Sequence, residues 1–164
     1  MSMIIKNVYR ESFPAMRLIG KRYSGEENFK ELWEKSFREG LFEPLEALPQ
    51  LEGHDGGYIG AMRIADGMLE YWIGLFLPAG TAVPEGYDFA DIDAMDFAVF
   101  WRYGSDQSGE LYGLEAHNQC LAQFPEHGFS RREDDWCFER YNCPRFTEPD
   151  AEGKVILDYG ISIF

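Results

Sequence analysis

The chain is written twice, and that constrains its fold more than any single motif. Residues 15–25 read AMRLIGKRYSG and residues 94–105 read AMDFAVFWRYGS. Both open on Ala-Met, pass through an apolar run and reach Arg-Tyr followed by Gly or Ser. Later in each half, MLEYWIGLF (68–76) aligns without gaps to ILDYGISIF (156–164), sharing a Leu, an acid, a Tyr, an Ile and a Phe. Two sets of matches in the same order point to a duplicated unit. The offset from Tyr71 to Tyr159 exceeds that from Ala15 to Ala94, which places a longer loop in the second half.

Between the matched ends each half carries a helical pattern. Phe29, Leu32, Trp33 and Phe37 fall on one helix face, and the spacing predicts that Trp33 and Phe37 are core. Ser24 with Glu27 suits a capping box at the start, and Gly40 suits the end. In the second half Leu111, Leu114, Leu121 and Phe124 mark a stripe that Pro125 and Gly128 stop. After each helix come two strand-like segments, 57–64 with 68–77 and 136–142 with 154–164, the first pair joined by a hairpin turn around residues 65–67. Each half thus reads strand–helix–strand–strand. The Pro- and Gly-rich stretch PAGTAVPEG (78–86) links repeat one, about 1–77, to repeat two, about 87–164. Either half alone has too little core. Packed together they predict a single α+β domain: an antiparallel sheet in pseudo-twofold arrangement, helices on one face and a ligand cleft on the other.

Composition narrows the function. The 164 residues are 45% hydrophobic and 16% aromatic, which calls for a large packed core or a cavity walled by rings. The net charge of −14, from 29 acids against 15 bases with no Lys/Arg run, disfavours direct nucleic-acid binding. It favours cationic partners, or simply solubility. Cys120, Cys137 and Cys143 form no CxxC motif, and their odd number fits a reducing compartment rather than a disulfide framework. No segment is long and apolar enough for a signal peptide or a membrane span, so a cytoplasmic protein without a membrane partner is expected. His54, His117 and His127 lack metal-ligand spacing, and GHDGGYIG (53–60) lacks the Lys-Ser/Thr of a phosphate loop. No metal and no cofactor are expected.

One carboxylate stands in an unusual place. In DDWCFERYNCPRF (134–146), strand alternation puts Cys137, Glu139 and Tyr141 on one face and Trp136, Phe138 and Arg140 on the other. From the residues alone, Glu139 is either a solvated strand acid or a carboxylate aimed into an apolar pocket. In a pocket, desolvation raises its pKa and suits it to a cationic ligand or to general-base work. Cys137 then borders the pocket or is a buried inert thiol. Tyr71 and Tyr159 are repeat-related, as are Tyr23 and Tyr103, and such pairs fit facing walls. Trp101 shares strand parity with Tyr103, and Tyr112 sits where it would cap a pocket mouth. Core packing is the competing reading for each ring.

A duplicated strand–helix–strand–strand, with a carboxylate in the first strand after the second helix, resembles the GyrI-like small-molecule-binding superfamily. That superfamily includes effector-binding domains of AraC-type and multidrug-responsive transcription regulators and stand-alone gyrase-inhibitory proteins. The resemblance covers nearly the whole chain. It implies an aromatic inter-repeat cleft in which a glutamate meets cationic or lipophilic ligands, and the family's aromatic-Glu pattern falls on Phe138-Glu139. The family's last strand commonly reads like iEiwiPi; here LDYGISI has Asp158 for the acid, Gly160 for the aromatic and Ser162 for the proline. With no DNA-binding segment ahead of the module, the resemblance implies a stand-alone member. The ligand-binding residues expected are Glu139, Tyr71, Tyr103, Tyr141, Trp101, Tyr112, Tyr159 and Cys137. Three functions stay open. One is binding of a lipophilic, aromatic or cationic xenobiotic. Another is hydrolysis of cyclopropane-bearing or other electrophilic xenobiotics, with Glu139 catalytic. The third is inhibition of a protein such as gyrase. Monomer and homodimer are both open.

Overall fold

The duplicated stretches become long inner strands of one sheet. The computed structural model describes residues 3–25 and 28–164. The elements run β1 (Ile4–Phe13), β2 (Met16–Ser24), α1 (Phe29–Arg38), α2 (Phe42–Glu46), β3 (Tyr58–Ala65) and β4 (Met68–Pro78), then β5 (Asp88–Ile92), β6 (Met95–Ser105), α3 (Gly113–Leu121), α4 (Phe124–His127), β7 (Cys137–Tyr141) and β8 (Lys154–Ile163). The eight strands form a single sheet in the order β1-β6-β8-β7-β3-β4-β2-β5. All pairings are antiparallel. The order is symmetric about the β7–β3 seam: β6, β8 and β7 mirror β2, β4 and β3. This is the expected α+β class with a pseudo-twofold antiparallel sheet.

Two strands lie outside the strand–helix–strand–strand reading. β1 leads the first repeat but pairs with β6 of the second, and β5 leads the second but pairs with β2 of the first. Each repeat thus lends its leading strand to the other. The turn between β3 and β4 is Asp66-Gly67, with φ of 53° and 77°. Positive φ at both residues suits a tight two-residue hairpin whose twist matches its strands. α1 is capped by Asn28, whose side chain accepts from the Glu31 amide at 3.2 Å. Ser24 belongs to β2, and the Glu27 of the expected capping box lies outside the described residues.

Burial divides by sheet face. On one face α3 and α4 cover Phe100, Leu157 and Ile161 through Ala116, Cys120 and Phe124, joined by Leu111 just ahead of α3. On the same face α1 and α2 cover Ile19, Ile73 and Leu77, with Leu41, Phe42 and Leu45 in the contact. Among the described residues the opposite face has no helix, and its own side chains cover it. Phe13 of edge strand β1 stacks edge-on within 5.9 Å of Phe76 on β4, five strands away in the sheet. A flat sheet would hold those strands about 24 Å apart. The sheet therefore curls until its helix-free face packs against itself, with Phe97 and Phe138 at the centre.

That curl overturns one expectation. The ligand cleft does not lie opposite the helices, because that face is filled by rings. The large cavity opens between α1 and α3, on the helix side. Two stripe readings change with it. Trp33 is half-buried and Phe37 is 57% exposed, so that part of the α1 stripe faces the cavity instead of the core. Leu114 is 73% exposed, and Ala116 and Cys120 take the buried side of α3.

Candidate functional site

β7 runs along the floor of the cleft and carries its acid. The cavity holds about 1700 Å³ and is walled by α1 on one side and α3 on the other. Alternation along β7 sends Cys137, Glu139 and Tyr141 into it. Glu139 pairs in register with Gly60 on β3 and Tyr159 on β8. Gly60 is a space-maker: a Cβ there would lie 2.8 Å from Glu139 Oε1 and 2.5 Å from the Tyr71 hydroxyl. Mid-strand glycine often marks such a close approach.

Among the described residues the carboxylate is held by phenols alone. Tyr71 and Tyr141 each donate to Glu139 Oε1 at 3.1 Å. Trp33 Nε1 donates to the Tyr71 hydroxyl at 2.8 Å, which fixes that hydroxyl's direction. Phe29 packs on Tyr71 at 4.4 Å, and the Trp33 and Phe146 rings meet Tyr141 edge-on at 4.8 and 4.7 Å. Glu139 makes no ion pair with any described residue. Burial raises its pKa above the ordinary glutamate value, and the Arg102 charge and the two phenol bonds offset part of that. The same burial, reinforced by the Glu139 charge, pushes the Tyr71 and Tyr141 hydroxyls up, so both stay protonated donors.

The α3 side is built differently. His117 Nδ1 lies 2.7 Å from the Tyr159 hydroxyl. Burial and the charges of Arg131 and Arg102 lower its pKa to about 4, so it is neutral at neutral pH. The Arg102 guanidinium lies flat over the Tyr159 ring, 3.6 Å from its centroid. Tyr112 donates to Asp106 at 2.5 Å near the start of α3. Burial pushes the Cys137 thiol up to about 11, which keeps it protonated and unsuited to nucleophilic work.

Six of the eight expected residues line this one cavity: Glu139, Tyr71, Tyr141, Tyr112, Tyr159 and Cys137. Trp101 and Tyr103 do not. In β6 the residues facing the helices are Phe100 and Arg102, so Trp101 and Tyr103 point to the other side. Trp101 donates to the Tyr9 hydroxyl at 3.2 Å and lies under Arg145, while the Tyr103 hydroxyl bonds Asp150. The acid of the last strand is also elsewhere: Asp158 faces away from the cleft and is paired with Arg140 and Arg145. Gly160 shares that face, where a Cβ would run into the Phe138 ring, so its departure from the family pattern makes room in the core and leaves the cleft untouched. Cleft residues that escaped the sequence reading include Trp33, Phe37, Arg102 and Arg131. The signal for Arg102 was present, a cation inside an otherwise apolar strand. Among the described residues no group of three or more His, Cys, Asp or Glu could hold a metal, and no helix is long and apolar enough to cross a membrane.

No protein-family model matches the chain, and no curated protein matches it in sequence. Solved structures do match it in fold. The structure of SAV2435 bound to tetraphenylphosphonium aligns with a TM-score of 0.74 at 16% identity, over 96% of this chain and 94% of that one. A Staphylococcus aureus MU50 protein, crystallised as a candidate bacterial transcription regulation protein, aligns with a TM-score of 0.69 at 16% identity, over 96% and 97% of the two chains. The C-terminal domain of EcmrR gives 0.59 at 12% identity, over 96% and 97%. At these identities the likeness establishes a shared fold, and that fold is consistent with the GyrI-like arrangement the sequence resembles.

Proposed function

We propose that this is a GyrI-like cytoplasmic protein whose cleft binds a lipophilic aromatic cation, with Glu139 as the anionic anchor. One observation carries the reading: a carboxylate on the floor of a large ring-lined cleft whose only partners among the described residues are two phenolic hydroxyls. A desolvated carboxylate without a counter-ion is costly to keep ionised, and a cation entering beside it relieves that cost. A cation with delocalised charge loses little hydration on entry and can lie against the Trp33, Tyr71 and Tyr141 rings. The net charge of −14 draws cations toward the surface. The tetraphenylphosphonium seen with SAV2435 supports this ligand class.

The test is a calorimetric titration of tetraphenylphosphonium into the wild type and Glu139→Gln at neutral pH. The variant should stay folded and bind at least about tenfold more weakly, roughly 1.4 kcal/mol. Equal affinities would sink the reading. The raised Glu139 pKa also suits a general base, so hydrolysis of an electrophilic xenobiotic is the second reading. Mass spectrometry with a cyclopropane-bearing alkylator separates the two: turnover beyond one equivalent, lost in Glu139→Gln, supports hydrolysis, and stoichiometric protection supports binding.

A further inference from the structure

Anchoring a cation at Glu139 leaves the α3 end of the cleft without a task, and that end is basic. Arg102 is 1% exposed and forms part of the cavity wall. Its Nη1 donates to the Leu111 carbonyl at 2.9 Å. Its Nε and Nη2 have no oxygen or nitrogen partner among the described residues. A buried charged donor left unpaired is costly, so such a pair calls for an acceptor. Nε–H and Nη2–H point in parallel along one edge of the guanidinium, and that edge matches the two oxygens of a carboxylate. Arg131 lines the same end, half-buried, and its Nε is also unpartnered. Its Nη2 lies 3.5 Å from His117 Nε2.

Among the described residues no acid of the cleft forms an ion pair with these arginines. Asp134 and Asp135 line the wall near Arg131, yet neither forms an ion pair with it, and Asp135 is engaged with Arg132 at 3.9 Å. Asp106 accepts from Tyr112. Glu139 stands on β7 and Arg102 on β6, with β8 between them. The two form no ion pair, although the Arg102 charge lowers the Glu139 pKa through space. The cleft is thus polarised, acid at the α1 side and guanidinium at the α3 side.

We infer that Arg102, assisted by Arg131, is a carboxylate-accepting subsite, and that the cleft prefers zwitterions, an aromatic cation bearing a carboxylate, over simple cations. This rests on Glu139 taking the cationic group. Three xanthene dyes separate the two ideas: rhodamine B ethyl ester as the cation, rhodamine B as the same ring with a free carboxylate, and fluorescein as the anion. Fluorescence polarisation on the intact protein gives each affinity, with Arg102→Met and Arg131→Gln as variants. Wild type should bind rhodamine B at least about tenfold tighter than its ester. Arg102→Met should shrink that preference below about threefold. Should Arg102→Met fail to fold, Arg131→Gln should still reduce the preference. Equal wild-type affinity for acid and ester, or a preference that survives both substitutions, overturns the subsite and leaves the Glu139 reading standing. Arg102-dependent binding of fluorescein without binding of the ester supports the subsite and overturns the cation reading. Binding of none of the three at millimolar concentration counts against both.

Discussion

Glu139, half-buried on the cleft floor, and Asp158, fully buried, are neighbours on adjacent strands, and they are treated in opposite ways. In the β7–β8 ladder Arg140 pairs with Asp158 and Glu139 pairs with Tyr159, so the two acids leave the sheet on opposite faces. Asp158 is fully buried and clamped by Arg140 at 2.9 Å and by Arg145 at 2.7 Å. Arg140 reaches on to Glu11 at 3.0 Å, and Glu11 to His54 at 2.7 Å. Among the described residues Glu139 has only phenols. Burial alone therefore does not mark a binding acid. What separates the two is whether the fold has already supplied the counter-charge.

The sharpest way to break this contrast is to remove Asp158. Asp158→Ala leaves Arg140 and Arg145 facing each other without their shared acid, and loss of one partner from a buried pair costs about 3–5 kcal/mol. Urea denaturation should show that loss, and wild-type stability would put the two acids on equal footing. Glu139→Gln should instead leave stability nearly unchanged or raise it, while cation binding falls. Its effect on stability has a defined pH sign. Because burial raises the folded-state pKa of Glu139, folding disfavours its ionised form. Wild-type stability carries no such penalty below the ordinary glutamate pKa and falls as pH rises from there through the folded value. The stability gap between Glu139→Gln and wild type should therefore widen from acid toward neutral pH in denaturation curves. A gap that narrows would mean that the carboxylate is stabilised when charged.

Smaller effects sharpen the same comparison. Tyr71→Phe removes a donor to Glu139 and the acceptor of Trp33, and should cost about 1 kcal/mol of stability. It should also raise the Glu139 pKa further, visible as a shift in the pH profile of cation binding. Tyr103→Phe removes a bond to Asp150 on the face away from the cleft. It should change stability by under about 0.5 kcal/mol and leave ligand affinity untouched. A binding defect in Tyr103→Phe would reopen the assignment of β6.

The pattern of success in reading the sequence follows from what each signal encodes. Glu139 was legible because β7 alternates cleanly, with Phe138 and Arg140 sent to the far side. β2, β4, β6 and β8 were legible because duplication marks them twice. β6 misled because it is buried on both faces from Phe97 to Phe100, so apolar character does not tell which side Trp101 and Arg102 take. Trp33 and Phe37 misled because a helix stripe facing a cavity has the same period as one facing a core. The exchanged strands β1 and β5 were missed because their pairing joins residues far apart in sequence, and as edge strands they bury few side chains.

The most direct measurement is the ionisation of Glu139 itself, followed by carbon-13 NMR of its side-chain carboxyl across pH, with and without saturating tetraphenylphosphonium, and assigned by its absence in Glu139→Gln. A binding acid that the fold leaves without a counter-ion should titrate above the ordinary glutamate range when the cleft is empty. Its pKa should fall when the cation binds, because the two equilibria are linked. A pKa at or below the ordinary value, unmoved by the cation, would contradict the role assigned to Glu139.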